Sequence, residues 1–282
     1  MQVTQKPLYC RYISKEIEKF SQEGIAIYLP TEQGYINYHL VHSVCEERNC
    51  NIWRLGPACH CNDALQDAVP LTRPLSEWEM AIRPEGRPDF IGGAVHGDEH
   101  IESLRVTLDG ILIDQRNLHE RTAFQTLTAE IRSTGYDPST PTKRMLAHCK
   151  RITFDRTGVR VEQEVEWLTD ARLTTSYLAM MPPLKSFTCR YRTDCSPDPR
   201  PIPMQGVSAT ECANTLCLAG DRGFSFSMTV EKYLSDGAQN TYYITDNGGN
   251  CYNKMYFVLA HGGAAKRGDV WQTATLYSIQ KS

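Results

Sequence analysis

Two imidazoles and three carboxylates stand between residues 96 and 102: His96, Asp98, Glu99, His100 and Glu102. Side chains of these types, this close together, can move protons or hold a metal ion. Gly92, Gly93 and Gly97 flank them and let the backbone turn sharply or lie against another group. Three readings of the segment compete. In one, His96 and Glu99 face a substrate as acid and base, with His100 and Asp98 binding it and Arg105 close by in the sequence. In another, His96, Asp98, Glu99 and His100 hold a divalent ion, although the pattern is not His-Glu-x-x-His. In the third, the segment is a glycine-rich turn with solvated charges. The acid–base reading is carried forward, with no metal and no cofactor.

A second candidate is His148, which shares a strand face with Leu146, Lys150, Ile152 and Phe154 in MLAHCKRITF. A face with apolar ends and a polar centre suits a sheet that half packs and half meets a ligand; a satisfied histidine at a sheet edge is the competing reading. A third is Lys254 with Tyr256, two residues apart and therefore on one side of a strand. A phenol beside a cation can exchange a proton if its pKa is lowered. A tyrosine on a sheet can equally serve as a flat platform for a sugar, or simply pack.

The elements that would position these groups read as strands. In GVRVEQEVEW, Val159, Val161, Val165 and Trp167 take one face and Arg160, Glu162, Glu164 and Glu166 the other. That alternation marks a half-buried strand. Asp155-Arg156-Thr157-Gly158 closes a hairpin with the preceding strand, and Asp109-Gly110 closes another in SLRVTLDGILI. FSFSMTV, TYYITD, KMYFVLAH and VWQTATLYSI complete the set, and YLAMM reads as a buried strand. Residues 120–134 lean to strand through their threonines. Ile13, Ile17 and Phe20 have helical spacing over 13–23. Proline-rich stretches at 137–142 and 197–203 read as long loops. The fold class expected is all-β, an antiparallel β-sandwich or jelly roll over 86–282, with a less regular region over 1–85 packed on it.

The chain has 282 residues, 41% hydrophobic, with a formal net charge of -3. That balance argues against a nucleic-acid partner. No apolar run approaches the roughly 20 residues that cross a bilayer, so no membrane insertion is expected. The N-terminus lacks the apolar core of a secretory signal, which points to synthesis in a cytoplasm. The 11 cysteines are then expected as reduced thiols. Cys45, Cys50, Cys59, His60 and Cys61 crowd together, but not as the two spaced pairs of a zinc knuckle.

The stretch EWEMAIRPEGRPDFIGGAVHGDE, its following hairpin, and LAHCKRITFDRTGVRVEQEVEWL resemble β-sandwich modules of bacteriophage tail fibres and tail-associated proteins. KMYFVLAHGG and GDVWQTATLYSI are similar in style to late strands of jelly-roll polysaccharide lyases, which often carry a Lys or Tyr there. The resemblance covers residues 75–282, and the Arg-rich and Gln-x-His strands of established lyases are absent from it. It implies a polysaccharide or cell-surface glycan as partner, with association with a virion and a homo-oligomer as further implications. A lyase would work by β-elimination: Arg105 or a protonated histidine neutralises a uronate, His96 or His148 takes the proton, and Tyr256 protonates the leaving oxygen. The alternatives are a glycoside hydrolase using Glu99 with Asp98, Glu102 or Glu166, a glycan-binding or structural tail module without catalysis, and a metal-dependent hydrolase.

Overall fold

A computed structural model describes residues 6–204, 207–232 and 241–281. The protein is a β-sandwich of two layers, almost entirely antiparallel. The principal strands are β1 (Leu8–Ile13), β2 (Ser21–Pro30), β3 (Tyr35–Cys45), β4 (Cys50–Leu55), β5 (Ala81–Pro84), β6 (Glu99–Leu108), β7 (Leu127–Asp137) and β8 (Thr140–Asp155). They continue with β9 (Gly158–Trp167), β10 (Ala171–Met181), β11 (Thr215–Ala219), β12 (Phe224–Lys232), β13 (Thr241–Thr245), β14 (Lys254–His261) and β15 (Val270–Lys281). One helical turn, α1 (Gly93–His96), precedes β6.

The first layer runs β6-β7-β8-β9-β15-β12-β11, every neighbour antiparallel. The second layer has two parts. Strands β1 to β4 form one, and a separate sheet in the order β13-β14-β10-β5 forms the other. A short parallel pairing of β4 with β6, Cys50 opposite Glu99, ties the N-terminal strands to the first layer.

Alternation decides which face is buried. Phe154, Val159, Val161, Phe226, Met228 and Tyr277 point inward from the first layer. They meet Ile25, Ile27, Tyr38 and Leu40 from β2 and β3, and Tyr242, Ile244, Met255 and Phe257 from the smaller sheet. The Tyr38 and Phe154 rings lie 6.4 Å apart across the layers, and the Tyr38 hydroxyl accepts the Ile279 N–H at 3.0 Å. Trp167, on the valine face of β9, is fully buried, with Trp271 packed edge-on against it.

Several expectations change. Residues 13–23 form no helix: Ile13 ends β1, and β2 begins at Ser21. The spacing of Ile13, Ile17 and Phe20 instead serves a tight bend, in which Phe20 takes φ 72°. The first 85 residues are not irregular in detail, because β2 and β3 are among the longer strands. Both faces of β3 are largely covered, so its sequence lacks the polar–apolar alternation by which a strand is recognised. The proline-rich stretch 137–142 is a hairpin with Asp137 paired to Thr140, because Pro141 sits at the start of β8, where no ladder donor is missed. The Asp109-Gly110 hairpin forms as expected, with φ of 52° and 81° at the two turn positions.

Burial predicts a contrast. Phe154→Ala, in the fully buried centre, costs about 3–5 kcal/mol in urea unfolding. Ile111→Ala, at a hairpin tip where the side chain is 70% exposed, stays within about 0.5 kcal/mol.

Candidate functional site

The outward face of the smaller sheet carries a row of rings. Tyr256 of β14 lies 5.2 Å from Tyr177 of β10 and 6.3 Å from Tyr243 of β13, centre to centre. Tyr177 continues to Phe90 at 6.3 Å, and Phe90 to His96 at 4.8 Å. The alternation that turns Tyr242, Ile244, Met255 and Phe257 into the core turns Tyr243 and Tyr256 out. Tyr177 reaches the same face because β10 bulges on either side of it, between Ser176 and Ala179.

α1 delivers His96 to the end of this row. Glu77 Oε1 accepts the Val95 N–H at 3.1 Å. Gly93, at φ 70°, lies so close to Glu77 that a Cβ would meet its Cγ at 2.1 Å. Gly97 is equally constrained: at φ 84°, a Cβ there would lie 1.9 Å from the Arg48 carbonyl oxygen. Asp89 Oδ1 accepts the Phe90 N–H at 2.8 Å and lies 2.7 Å from His96 Nδ1. A carboxylate can only accept, so Nδ1 carries the proton and Nε2 of a neutral ring presents its lone pair. No partner takes Nε2 among the described residues, and the side chain is 25% exposed.

Cations flank the rings. Arg83 stands 5.8 Å from the centre of Phe90 and Lys254 5.8 Å from that of Tyr256. Neither head forms an ion pair or hydrogen bond among the described residues. Arg73 lies over Tyr252 and donates to its hydroxyl at 3.1 Å. Burial, then the nearby Arg73 charge, lowers the Lys254 pKa. Burial pushes the Tyr256 phenol well above its ordinary value, with Tyr252, Glu77 and Tyr177 adding to the rise and Arg73 opposing it. The lowered phenol pKa that was the condition for proton exchange is not met at Tyr256, where burial favours the protonated form.

The row thus unites His96, Tyr256 and Lys254 on one face. The other expected residues fall elsewhere. Glu99 and His148 do meet, at 3.1 Å, but inside the sandwich, each with 1% exposure. Glu99 also accepts the Ser133 hydroxyl at 2.5 Å, and His148 Nε2 lies 3.0 Å from Gln163 Oε1. Asp98, at φ 53° and nearly buried, accepts from Asn49 Nδ2 at 3.1 Å. His100 sits edge-on to Tyr136. Arg105 is exposed on the outward face of the first layer, which carries none of the rings. Within the 45–61 group, Cys45, Cys50 and Cys61 are buried thiols. Among the described residues no three His, Cys, Asp or Glu side chains are placed to hold a metal ion.

Asp89, Phe90, Tyr177, Glu77 and Arg73 escape a reading of the sequence. Asp89 and His96 are seven positions apart and joined by irregular backbone, a spacing with no motif behind it. Tyr177 reads as core because only the bulges turn it outward.

No protein-family model matches the chain, and no curated protein matches it. Solved structures do resemble it. A galactose mutarotase-like protein from Clostridium acetobutylicum superposes with TM-score 0.53 at 9% identity, over 99% of this chain and 100% of that one. The galactosidase domain of an alpha-galactosidase-sucrose kinase superposes with TM-score 0.52 at 7% identity, over 91% of this chain and 40% of that one. A heparan sulfate lyase from Pedobacter heparinus gives TM-score 0.45 at 10% identity, over 96% of this chain and 37% of that one. The first two are likenesses of fold. The chain spans less than half the length of the latter two proteins.

The buried pair makes a pH prediction. Burial works against the Glu99 charge, but Lys150, His148 and Ser133 outweigh it and hold its pKa at about 2, below the ordinary 4.5. A depressed carboxylate stabilises the fold above its ordinary pKa, and that contribution is lost as pH falls from 4.5 towards about 2. Glu99→Gln is expected to cost about 3–5 kcal/mol at neutral pH and to flatten the acid limb of stability over that window, both read by urea unfolding across pH.

Proposed function

We propose that the chain is a glycan-active protein that holds an acidic polysaccharide along the Phe90–Tyr177–Tyr256–Tyr243 row and cleaves it by β-elimination. The row carries this reading. Half-buried aromatic rings gathered on one sheet face offer their remaining apolar area to the apolar faces of sugar rings, and a few polar groups beside them fix orientation. The unpaired Arg83 and Lys254, with Arg73 behind, suit a carboxylate or sulfate on the polymer rather than a neutral chain. The fold is compatible with such a role, since likenesses to the mutarotase-like protein and the galactosidase domain span most of this chain, although a fold alone assigns no chemistry.

The chemistry follows from the proton inventory. His96 Nε2, with Nδ1 held by Asp89, takes the proton from the carbon beside a uronate carboxyl group. The electron pair forms a carbon–carbon double bond as the glycosidic carbon–oxygen bond breaks. The leaving oxygen takes a proton from a tyrosine hydroxyl, Tyr256 or Tyr177, both of which burial keeps protonated. A cation beside the uronate carboxyl stabilises the charge that builds on it. In this reading Arg83, beside Phe90, or Lys254, beside Tyr256, supplies that charge, and Arg105, on the other outward face, does not.

One observation favours a second reading, binding without cleavage: Phe90 and Tyr177 stand between His96 and Tyr256, and the His148–Glu99 pair is sealed in the core. Incubation with polygalacturonate, alginate, hyaluronan and heparan sulfate, followed by ultraviolet absorbance of unsaturated uronate, separates the two. Elimination predicts rising absorbance, which His96→Ala lowers by about 100-fold or more and Tyr256→Phe lowers by a further measurable factor. A flat trace on every polymer, with retained binding that Tyr177→Ala weakens, overturns the lyase step and leaves the binding surface.

A further inference from the structure

The outward face of the first layer holds a hollow that the ring row does not use. Two cross-strand rows shape it. Glu130, Arg151, Glu162 and Ala274 stand in register across β7, β8, β9 and β15, and Arg132, Cys149, Glu164 and Gln272 form the next row. Ala274, buried on the floor of the hollow opposite Glu162, presents only a methyl group there. The hollow is open to solvent, with a volume of about 430 Å³ and Lys232 of β12 on its rim. A second hollow of about 770 Å³ adjoins it, sharing Glu130, Arg151 and Glu162 and reaching Arg105. Both volumes lie within the roughly 300–1,000 Å³ of small-ligand sites.

The charges here are only partly spent on one another. Arg151 holds Glu130 at 2.6 Å, and Gln272 donates to Glu164 at 2.7 Å while accepting from Lys232 at 2.5 Å. Glu162, Arg132 and Arg105 form no ion pair or side-chain hydrogen bond among the described residues. The described lining carries no aromatic ring. Its ligand is therefore held by hydrogen bonds and charge, not by stacking. Guanidinium forks bind a carboxylate, and a free carboxylate accepts from paired hydroxyls.

We infer that the two adjoining hollows form a second saccharide site, taking an acidic oligosaccharide edge-on, with Arg132 of the first and Arg105 of the second on its carboxylates and the shared Glu162 on its hydroxyls. That the ligand is a glycan rests on the reading of the ring row; the location and the mode of recognition do not. With one site on each outward face, a single polymer chain cannot lie straight across both, so the two bind separate segments or separate chains.

Isothermal titration with hexagalacturonate, using Arg132→Ala, Ala274→Leu and Tyr177→Ala, tests this. Ala274→Leu fills the hollow and leaves every charge in place, and unchanged melting temperatures show that each variant is folded. The inference predicts two sites in the wild-type protein. Arg132→Ala and Ala274→Leu each weaken one of them by about tenfold or more, and Tyr177→Ala spares that one while weakening the other. A single site, lost in Tyr177→Ala and untouched by Arg132→Ala and Ala274→Leu, overturns the second site and keeps the ring row. A single site with the reverse pattern keeps the second site and removes the ring row. No binding at all overturns the second site, and the absorbance assay then decides the ring row alone.

Discussion

Three consecutive residues, Glu77 to Glu79, hold the two layers in register and set the site between them and solvent. The Trp78 carbonyl accepts the Met180 N–H at 2.9 Å and the Tyr277 hydroxyl at 2.8 Å, one from each layer. Glu79 accepts the Leu55 N–H at 2.7 Å through its side chain, and Gln163 Nε2 at 3.2 Å through its carbonyl. Lys150 lies 3.8 Å from the same carboxylate. A buried carboxylate is costly unless its partners are all present, so Glu79 accepts one arrangement of β4, β8 and β9 and penalises the others. Glu77, one step beyond Trp78, then fixes α1 and hence His96. The position of the candidate base is inherited from the packing of the core.

The interior polar groups make sense in that light. Glu99, Ser133, His148 and Gln163 form a closed chain, and Gln163 spends its remaining donors on the Glu79 and Leu178 carbonyls. Nothing in the chain is left to face a substrate. An acid and a histidine brought together at 3.1 Å look like catalytic machinery in outline, yet complete satisfaction and burial make them a structural clasp. His96 and Asp89 form a similar pair that differs in one respect: the second imidazole nitrogen has no partner among the described residues, and the side chain is partly exposed.

How much of this was legible beforehand differs by level. The hairpins at Asp109-Gly110 and Asp155-Gly158, and the faces of β8 and β9, follow from alternation and turn chemistry, and the fold honours them. β2 and β3 were hidden because covering both faces removes alternation, and the bend at 14–20 imitates helical spacing. In the site, Tyr256 and Lys254 were visible as residue types with strand spacing behind them, and His96 as an imidazole in a glycine-flanked cluster of acids. Asp89, Phe90 and Tyr177 were not, because irregular backbone and two β-bulges bring them to the row, and neither has a periodic signature. The pairing of Glu99 with His148 had no local signal either, since it joins strands 49 residues apart in sequence. Burial, which no spacing reveals, decided their role.

The most direct test of the central claim is a crystal structure of the protein grown with hexagalacturonate. The account predicts sugar rings lying against Phe90, Tyr177 and Tyr256, with a uronate carboxylate within hydrogen-bond reach of Lys254 or Arg83. Bare tyrosines, with the oligosaccharide seated elsewhere or absent, would contradict it.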